Sequence, residues 1–429
     1  MKAMHRRSTH AALSLSVMAL STGLAIATPV RAAEDNKSSE PLQIVVSLNE
    51  QKLNVFRGEE VIASSKVSSG KPGHSTPTGI FSILHKKKFH RSNIYSGAPM
   101  PWMQRLTWTG IALHESNSVP NYPASHGCVR LPAAFAKELF GETSVGQHVV
   151  ITGDPVTPEP IVDALLPQPA MPRQYDPTYD QWRALVENAG LKLTKNFAPK
   201  ISTAALLYPV RDKIGFAYKP SGAPLRVLIT RRSRQDITAS IQFLLNKLGY
   251  DAGPIDGLAG RATAAAIKAF QDDHNLNETG IITPHFTKIL YRAAGVNEPE
   301  TGHIFVRSEF EPVFDAPITI SDPDQPLGTH LITATKFDND AMKTEWLAMT
   351  LENQLPEFTR AYFDIAEDAP SDTAVHEALN RITIPEDVAK RIARMLTPGS
   401  SIAISDTGLS GYTGWKTDFV VVTKIGRRA

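Results

Sequence analysis

Ala124-Ser125-His126-Gly127-Cys128-Val129-Arg130-Leu131 is the stretch on which the reading of this chain turns. It holds the one cysteine among 429 residues, with His126 two positions before it and Arg130 two positions after. A thiol becomes a useful nucleophile as its thiolate, so a neighbouring base or cation matters more than the thiol alone. If the segment is extended, residues two apart project to one side, which groups His126 with Cys128. Gly127 lets the chain bend and another group come close, leaving the N–H groups of Gly127 and Cys128 as candidate oxyanion donors. A lone cysteine is more often a small buried hydrophobe than a nucleophile. The surrounding pattern reverses that expectation.

Ser-His-Gly-Cys-x-Arg, with a second histidine upstream in Ile111-Ala112-Leu113-His114-Glu115-Ser116, resembles the catalytic signature of the L,D-transpeptidases, bacterial cell-wall enzymes with a YkuD-type domain. It departs from the common form at Glu115, where glycine usually follows the upstream histidine. The resemblance implies that the Cys128 thiolate attacks the L-centre carbonyl of diaminopimelate in a stem tetrapeptide, expels D-alanine and forms a thioester. His126 is then the base and later the acid, its other nitrogen held by a backbone carbonyl. Arg130 binds a stem carboxylate or braces the loop. Ser125 and His114 orient His126 or shape the acceptor pocket. Met100 and Trp102 wall the cleft, with core filling as the alternative for both. No cofactor is implied, and no Cys/His spacing matches a zinc site. The acyl acceptor stays open: a second stem peptide, the N-terminus of an outer-membrane protein, or water, which would make a carboxypeptidase or hydrolase. A non-catalytic wall-binding scaffold is the other alternative, against which the intact His-Gly-Cys and His114 argue.

The expected fold class is multidomain α+β. Residues 1–32 read as a signal peptide, with Lys2, Arg6 and Arg7 before an apolar stretch and small residues at Val30-Arg31-Ala32. The address is the general export route or, from Arg6-Arg7, the twin-arginine one. The expected location is the periplasm, wall-associated and not membrane-spanning. With 45 basic and 43 acidic residues, nothing points to nucleic acid as a partner. Residues 41–154 are expected to form the mostly β catalytic domain. A proline-rich linker and an unassigned segment, in which Trp182–Leu193 reads as a helix, fill 155–232. A three-helix domain is expected at 233–295 and an α+β domain at 300–425.

In the three-helix segment Ile241, Leu244, Leu245 and Leu248 fall at helical spacing, and Thr283-Pro284 opens the third helix. Leu-Gly-Tyr, Ile-Asp-Gly-Leu-Ala-Gly, Ala-Phe-Gln and Thr-Gly-Ile follow in the order that resembles the three-helix peptidoglycan-binding domain. The resemblance implies adhesion to glycan or stem peptides, with Asp256, Gly257, Phe270 and Gln271 as the motif residues.

Comparing the chain with itself raises one more expectation. Leu131-Pro132 aligns with Ile384-Pro385 (384 − 131 = 253), placing Phe135 on Val388, Leu139 on Ile392, Gly146 on Gly399, Val149 on Ile402 and Ile151 on Ile404. Cys128 then falls on Arg381 and His126 on Leu379, so the chemistry is missing. Upstream, Pro77-Thr78-Gly79 matches Pro326-Leu327-Gly328, with Ile83 on Ile332. Residues 300–425 thus read as a degenerate second copy of the catalytic fold. Chance is the competitor, because helix-glycine-strand patterns recur widely.

Overall fold

The structure, a computed structural model, describes residues 40–92, 97–170, 222–338, 340–355, 357–365, 374–414 and 416–424. The signal peptide expected at residues 1–32 and the helix expected at Trp182–Leu193 both lie outside the described residues.

The chain begins with β1 (Leu42–Ser47), β2 (Lys52–Arg57), β3 (Glu60–Lys66) and β4 (Thr78–Ser82), then four short strands, β5 (His85–Lys87), β6 (Met103–Arg105), β7 (Ala112–Glu115) and β8 (Val129–Leu131). Helix α1 (Ala133–Glu142) and β9 (His148–Thr152) follow. Pro132 presets the backbone at the start of α1. Strands β5-β6-β7-β8 form a small sheet of their own, and β4-β9-β1-β2-β3 lie in the main one. β1 is buried along its whole length because both faces are covered. Ile44, Val46, Phe81, Val149 and Ile151 pack with Ala136 and Leu139 of α1. Val45, Ile80 and Val150, on the other face, meet Leu228, Leu331 and Ala403 of a second sheet.

That second sheet contains β10 (Glu159–Ile161), β11 (Arg226–Arg231), β12 (Gly302–Ser308), β13 (Glu311–Ile320), β14 (Thr329–Asp338), β15 (Lys343–Leu351), β16 (Ile382–Thr383) and β17 (Ser401–Ser405), in the order β10-β15-β14-β17-β11-β12-β13-β16. Between β11 and β12 the chain leaves to make α2 (Arg234–Lys247), α3 (Arg261–Asp273) and α4 (Pro284–Ala293). Ser233 and Thr283 cap α2 and α4 with side-chain oxygens. Helices α5 (Glu357–Phe363), α6 (Ala374–Asn380) and α7 (Glu386–Ala393) precede β17. The last strand, β18 (Val421–Lys424), returns to the first sheet and pairs with β4.

Two sequence-based boundaries move. Strand β10 comes from the proline-rich part of 155–232 and β11 from its unassigned part, where Leu225–Ile229 reads as a strand, so the C-terminal sheet draws on residues well before 300. The helical domain separates two strands that are partners in space, so chain order hides their pairing. Within the second sheet, β14-β17-β11-β12-β13 repeats the order and strand directions of β4-β9-β1-β2-β3. Pro132 and Pro385 both open a helix, and Gly146 and Gly399 both take positive φ, 88° and 81°. The upstream register differs from the self-comparison. Gly79 pairs with Ile151 and His330 with Ile404, so Gly79 matches His330, and Phe81 rather than Ile83 matches Ile332.

Candidate active site

The motif loop is held by a second loop, Ser68–Thr76, that leads from β3 to β4. Ser68 and Arg130 exchange backbone hydrogen bonds at 3.1 and 3.0 Å, and Lys71 N–H donates to Ser125 O at 3.0 Å. Thr76 Oγ1 accepts from Gly70 N–H at 2.9 Å and donates to Gly127 O at 2.8 Å. Ser125 Oγ donates to Cys128 O and accepts Gly127 N–H at 3.1 Å. Ser125 is therefore a clamp inside the loop.

This clamp corrects one expectation. The Gly127 N–H already has an acceptor in Ser125 Oγ, so it is not open to an oxyanion in this conformation. The Cys128 N–H, one residue before the β8 ladder, remains as the candidate donor. Gly127 has φ 106°, and a Cβ there would stand 2.9 Å from Ile111 Cδ1, so only glycine suits the bend. The same bend removes the premise that His126 and Cys128 project together from extended backbone.

The thiol sits just before β8, against the first residues of β6 and β7. Its Sγ lies 3.3 Å from Gly110 O, and Met100, Met103 and Ala112 pack around the residue. Burial pushes the thiol pKa up; a hydrogen bond from the Ala112 backbone, then Arg105 and Arg130, pull the other way. β7 and β8 run parallel with His114 opposite Arg130. Because side chains alternate along strands, His114 shares its sheet face with its partner Arg130 and with Ala112, two residues before it on β7, and Cys128 packs against Ala112. His114 is buried and its pKa falls to about 4, chiefly by desolvation and further by Arg130, while its bond to Glu115 O opposes. His114 Nδ1 lies 2.7 Å from that carbonyl. A carbonyl only accepts, so Nδ1 carries the hydrogen and Nε2 keeps its lone pair.

His126 is partly exposed, its ring edge-on to His74 with centroids 4.7 Å apart. Desolvation, then the charges of Lys71, His74 and Arg130, lower its pKa. His74 escapes sequence reasoning because the Ser68–Thr76 loop carries no local motif; only the fold brings it here. Of the two expected cleft-wall residues, Met100 packs with Cys128, whereas Trp102 joins the main core and meets Phe140 of α1 at 5.4 Å. Trp102 is core filling. Among the described residues no group of three or more His, Cys, Asp or Glu side chains could hold a metal ion.

In the helical domain the motif residues turn out to build the fold. Phe270 is 0% exposed in the three-helix core, and Gln271, 3% exposed, spends its amide on Thr279 Oγ1 and Gly280 N–H. Asp256 Oδ1 accepts from Leu258 N–H, and Gln242 binds Asp256, Gly257, Leu258 and Thr263. Phe270 and Gln271 are thus corrected from contact to scaffold. Gln242 was missed, being one polar residue inside an apolar helix pattern. The exposed apolar residues of this domain are Ile255, Leu258 and Ile281.

Residues 41–151 match the family of L,D-transpeptidase catalytic domains (YkuD), and residues 234–290 match the peptidoglycan binding domain family. A search of curated proteins finds none with significant similarity to the chain. Among solved structures, an L,D-transpeptidase from Mycobacterium smegmatis is 23% identical, with a TM-score of 0.25; the match covers 26% of this chain and 59% of that one. An L,D-transpeptidase from Stackebrandtia nassauensis is 27% identical, with a TM-score of 0.25 and coverage of 27% and 57%. The catalytic domain of the E. faecium L,D-transpeptidase is 27% identical, with a TM-score of 0.24 and coverage of 26% and 97%. The chain thus spans less than two thirds of the first two proteins. Over residues 41–151 it carries the L,D-transpeptidase catalytic domain of the YkuD family, joined to a peptidoglycan binding domain over residues 234–290.

Proposed function

We propose that the chain is a cysteine-dependent peptidoglycan L,D-transpeptidase acting at the wall in the periplasm. The observation that carries this reading is a buried, backbone-braced His114 two residues along β7 from Ala112, against which Cys128 packs. Cys128 Sγ loses its proton to His114 Nε2 and attacks the carbonyl of the diaminopimelate–D-Ala bond. The Cys128 N–H meets the developing oxyanion. As the C–N bond breaks, the proton passes to the departing amine, leaving a thioester. An amine acceptor then attacks the thioester, the C–S bond breaks, and His114 carries the proton from the amine to the released Cys128 thiolate. The sequence reading gave both proton transfers to His126. The geometry favours His114 for both transfers of this proton and leaves His126, partly exposed beside His74, to contact the entering amine. Arg130, next to His114 on the same face, suits a stem carboxylate.

Mass-detected acylation by a carbapenem separates the two histidines. His114→Gln is expected to slow acylation by roughly 10²–10⁴-fold, the usual worth of a general base, and His126→Gln by less. A base with a pKa of about 4 stays competent well below neutrality, so the acid limb of the rate should fall near that value. An acid limb near the ordinary histidine value, abolished by His126→Gln, would return the role to His126. Incubation with disaccharide-tetrapeptides distinguishes the acceptors: a cross-linked dimer marks a stem amine, and a shortened monomer marks water. An outer-membrane protein N-terminus is the third acceptor class.

Peptidoglycan binding rests on the helical domain. Leu258 and Ile281 are 65% and 60% exposed, the two most exposed large apolar residues described in this domain. Leu258→Asp with Ile281→Asp should markedly reduce co-sedimentation of the full chain with insoluble peptidoglycan while leaving its thermal unfolding unchanged. Equal pelleting would move the contact elsewhere.

A further inference from the structure

Two features of the fold remain without a role: the second sheet, and the return of β18 to the first. The second sheet repeats the first beyond strand order. The bridge between Ser68 and Arg130 beside the motif loop has its counterpart in Thr319 and Thr383. Ile44, Val45 and Val46 stand beside Val149, Val150 and Ile151 as Val227, Leu228 and Ile229 stand beside Ile402, Ala403 and Ile404. Matched residues also lie in the same layer between the sheets. Val45 with Leu228, Ile80 with Leu331 and Val150 with Ala403 share one core between the sheets. His148 Nε2 lies 2.8 Å from Ser401 Oγ, its own counterpart. A residue that touches its own equivalent lies on a two-fold axis, as in an isologous dimer.

The segments after β9 and β17 are exchanged. After β9 the chain crosses to the second sheet as β10, beside β15. After β17 it crosses to the first sheet as β18, beside β4. The second sheet has no nucleophile. At the position of Cys128 stands Arg381, whose guanidinium donates to the carbonyls of Glu377, Asp322, Gln325 and Pro326.

β18 reaches the active site through two short links. Val421 pairs with Ile80 and Val422 with Gly79, and Thr423 Oγ1 lies 2.7 Å from Thr78 Oγ1. Two residues before Thr78 stands Thr76, whose hydroxyl binds Gly70 and the Gly127 carbonyl. A Cβ on Gly79 would lie 1.9 Å from Val421 O, so the glycine suits the close approach of this strand. Asp418, just before β18, accepts from Ser82 Oγ at 3.0 Å and Arg226 Nε at 3.2 Å, and Phe419 enters the core between the sheets. Without β18, β4 would be a free edge and the Ser68–Thr76 loop would hang from it.

We propose that β18, contributed by a nucleophile-free second copy of the catalytic fold, is the brace that keeps the Cys128 loop in its reactive geometry. Thr78, Gly79 and Val422 are then positioning residues that act through Thr76. The proposal rests on Cys128 as the nucleophile. Deleting residues 416–429 should slow carbapenem acylation by on the order of 10- to 100-fold, the scale of a small misplacement of reacting groups. A synthetic 416–429 peptide should restore the rate with saturation, and amide exchange across Thr76–Ile80 should rise on deletion and fall again with peptide. Should the truncated chain not stay soluble, Val422→Pro in the full chain is read in the same way, with Thr423→Val as the milder step. Native-rate acylation by a folded truncated or Val422→Pro chain would overturn the brace. A full-length chain that takes up no carbapenem at all would instead sink the nucleophile assignment.

Discussion

Cys128→Ala is expected to abolish the covalent carbapenem adduct while the protein unfolds at nearly the native temperature. The sulfur is the only thiol in the chain, so no second cysteine can take over. Removing it also costs little in packing, because Cys128 is only partly buried, at the edge of a small cluster with Met100, Met103 and Ala112. The measurement is intact mass after incubation, set beside a melting curve. An adduct on the variant would place the nucleophile elsewhere. With stem tetrapeptides the same variant should yield neither thioester nor cross-linked product.

Arg231→Ala should be the most damaging single change to the second sheet. The guanidinium and the Asp406 carboxylate are both fully enclosed and meet at 2.7 Å. Arg231 also donates to the carbonyls of Pro323 and Gln325, while Asp406 accepts the N–H groups of Leu327 and Gly328 and the Asn353 amide. Truncating the arginine leaves a buried carboxylate without its counter-charge, which costs about 3–5 kcal/mol. Denaturant unfolding should show that loss. Arg231→Met combined with Asp406→Leu should recover most of it, since a packed apolar pair need not be worse than an ion pair. If the single variant lost under about 1 kcal/mol, the enclosure of the pair would be in error.

What could be read from sequence was local. Ser125 to Arg130 and the Thr283 cap act within a few residues, so their chemistry survives the loss of the third dimension. The loop carrying His74 and Thr76 reaches the thiol from about fifty positions away in sequence, through bonds such as Thr76 to Gly127 that no local pattern encodes. The self-comparison found α1 with α7 and β9 with β17 because helix, glycine and strand follow one another without interruption. It slipped at β4 because two glycines with different tasks were matched. Gly79 makes room for Val421 O, whereas Gly328 turns the chain so that a Cβ would meet the His330 ring. It missed β11 because three helices separate that strand from β12. Phe270 and Gln271 were misread for a related reason: a motif marks residues a fold needs, and needing them inside looks the same in sequence as needing them outside.

The point of insertion of the three helices has a mechanical meaning. They leave and rejoin the second sheet at neighbouring strands, where Arg231 pairs with Gly302 and Arg232 N–H reaches Thr301 O at 3.4 Å. Two strands in register sit about 5 Å apart, so both ends of the module are pinned at one spot. Tyr362 and Phe363 from α5 pack on its core, and the Arg231 guanidinium lies over the Phe363 ring at 4.7 Å. A module hung by one flexible leash would sweep a wide arc and act as a buoy. This one is mounted like a bracket, so a strand of wall gripped by the helices would be presented to the thiol at a set bearing and span, and tension along it would load the sheets directly.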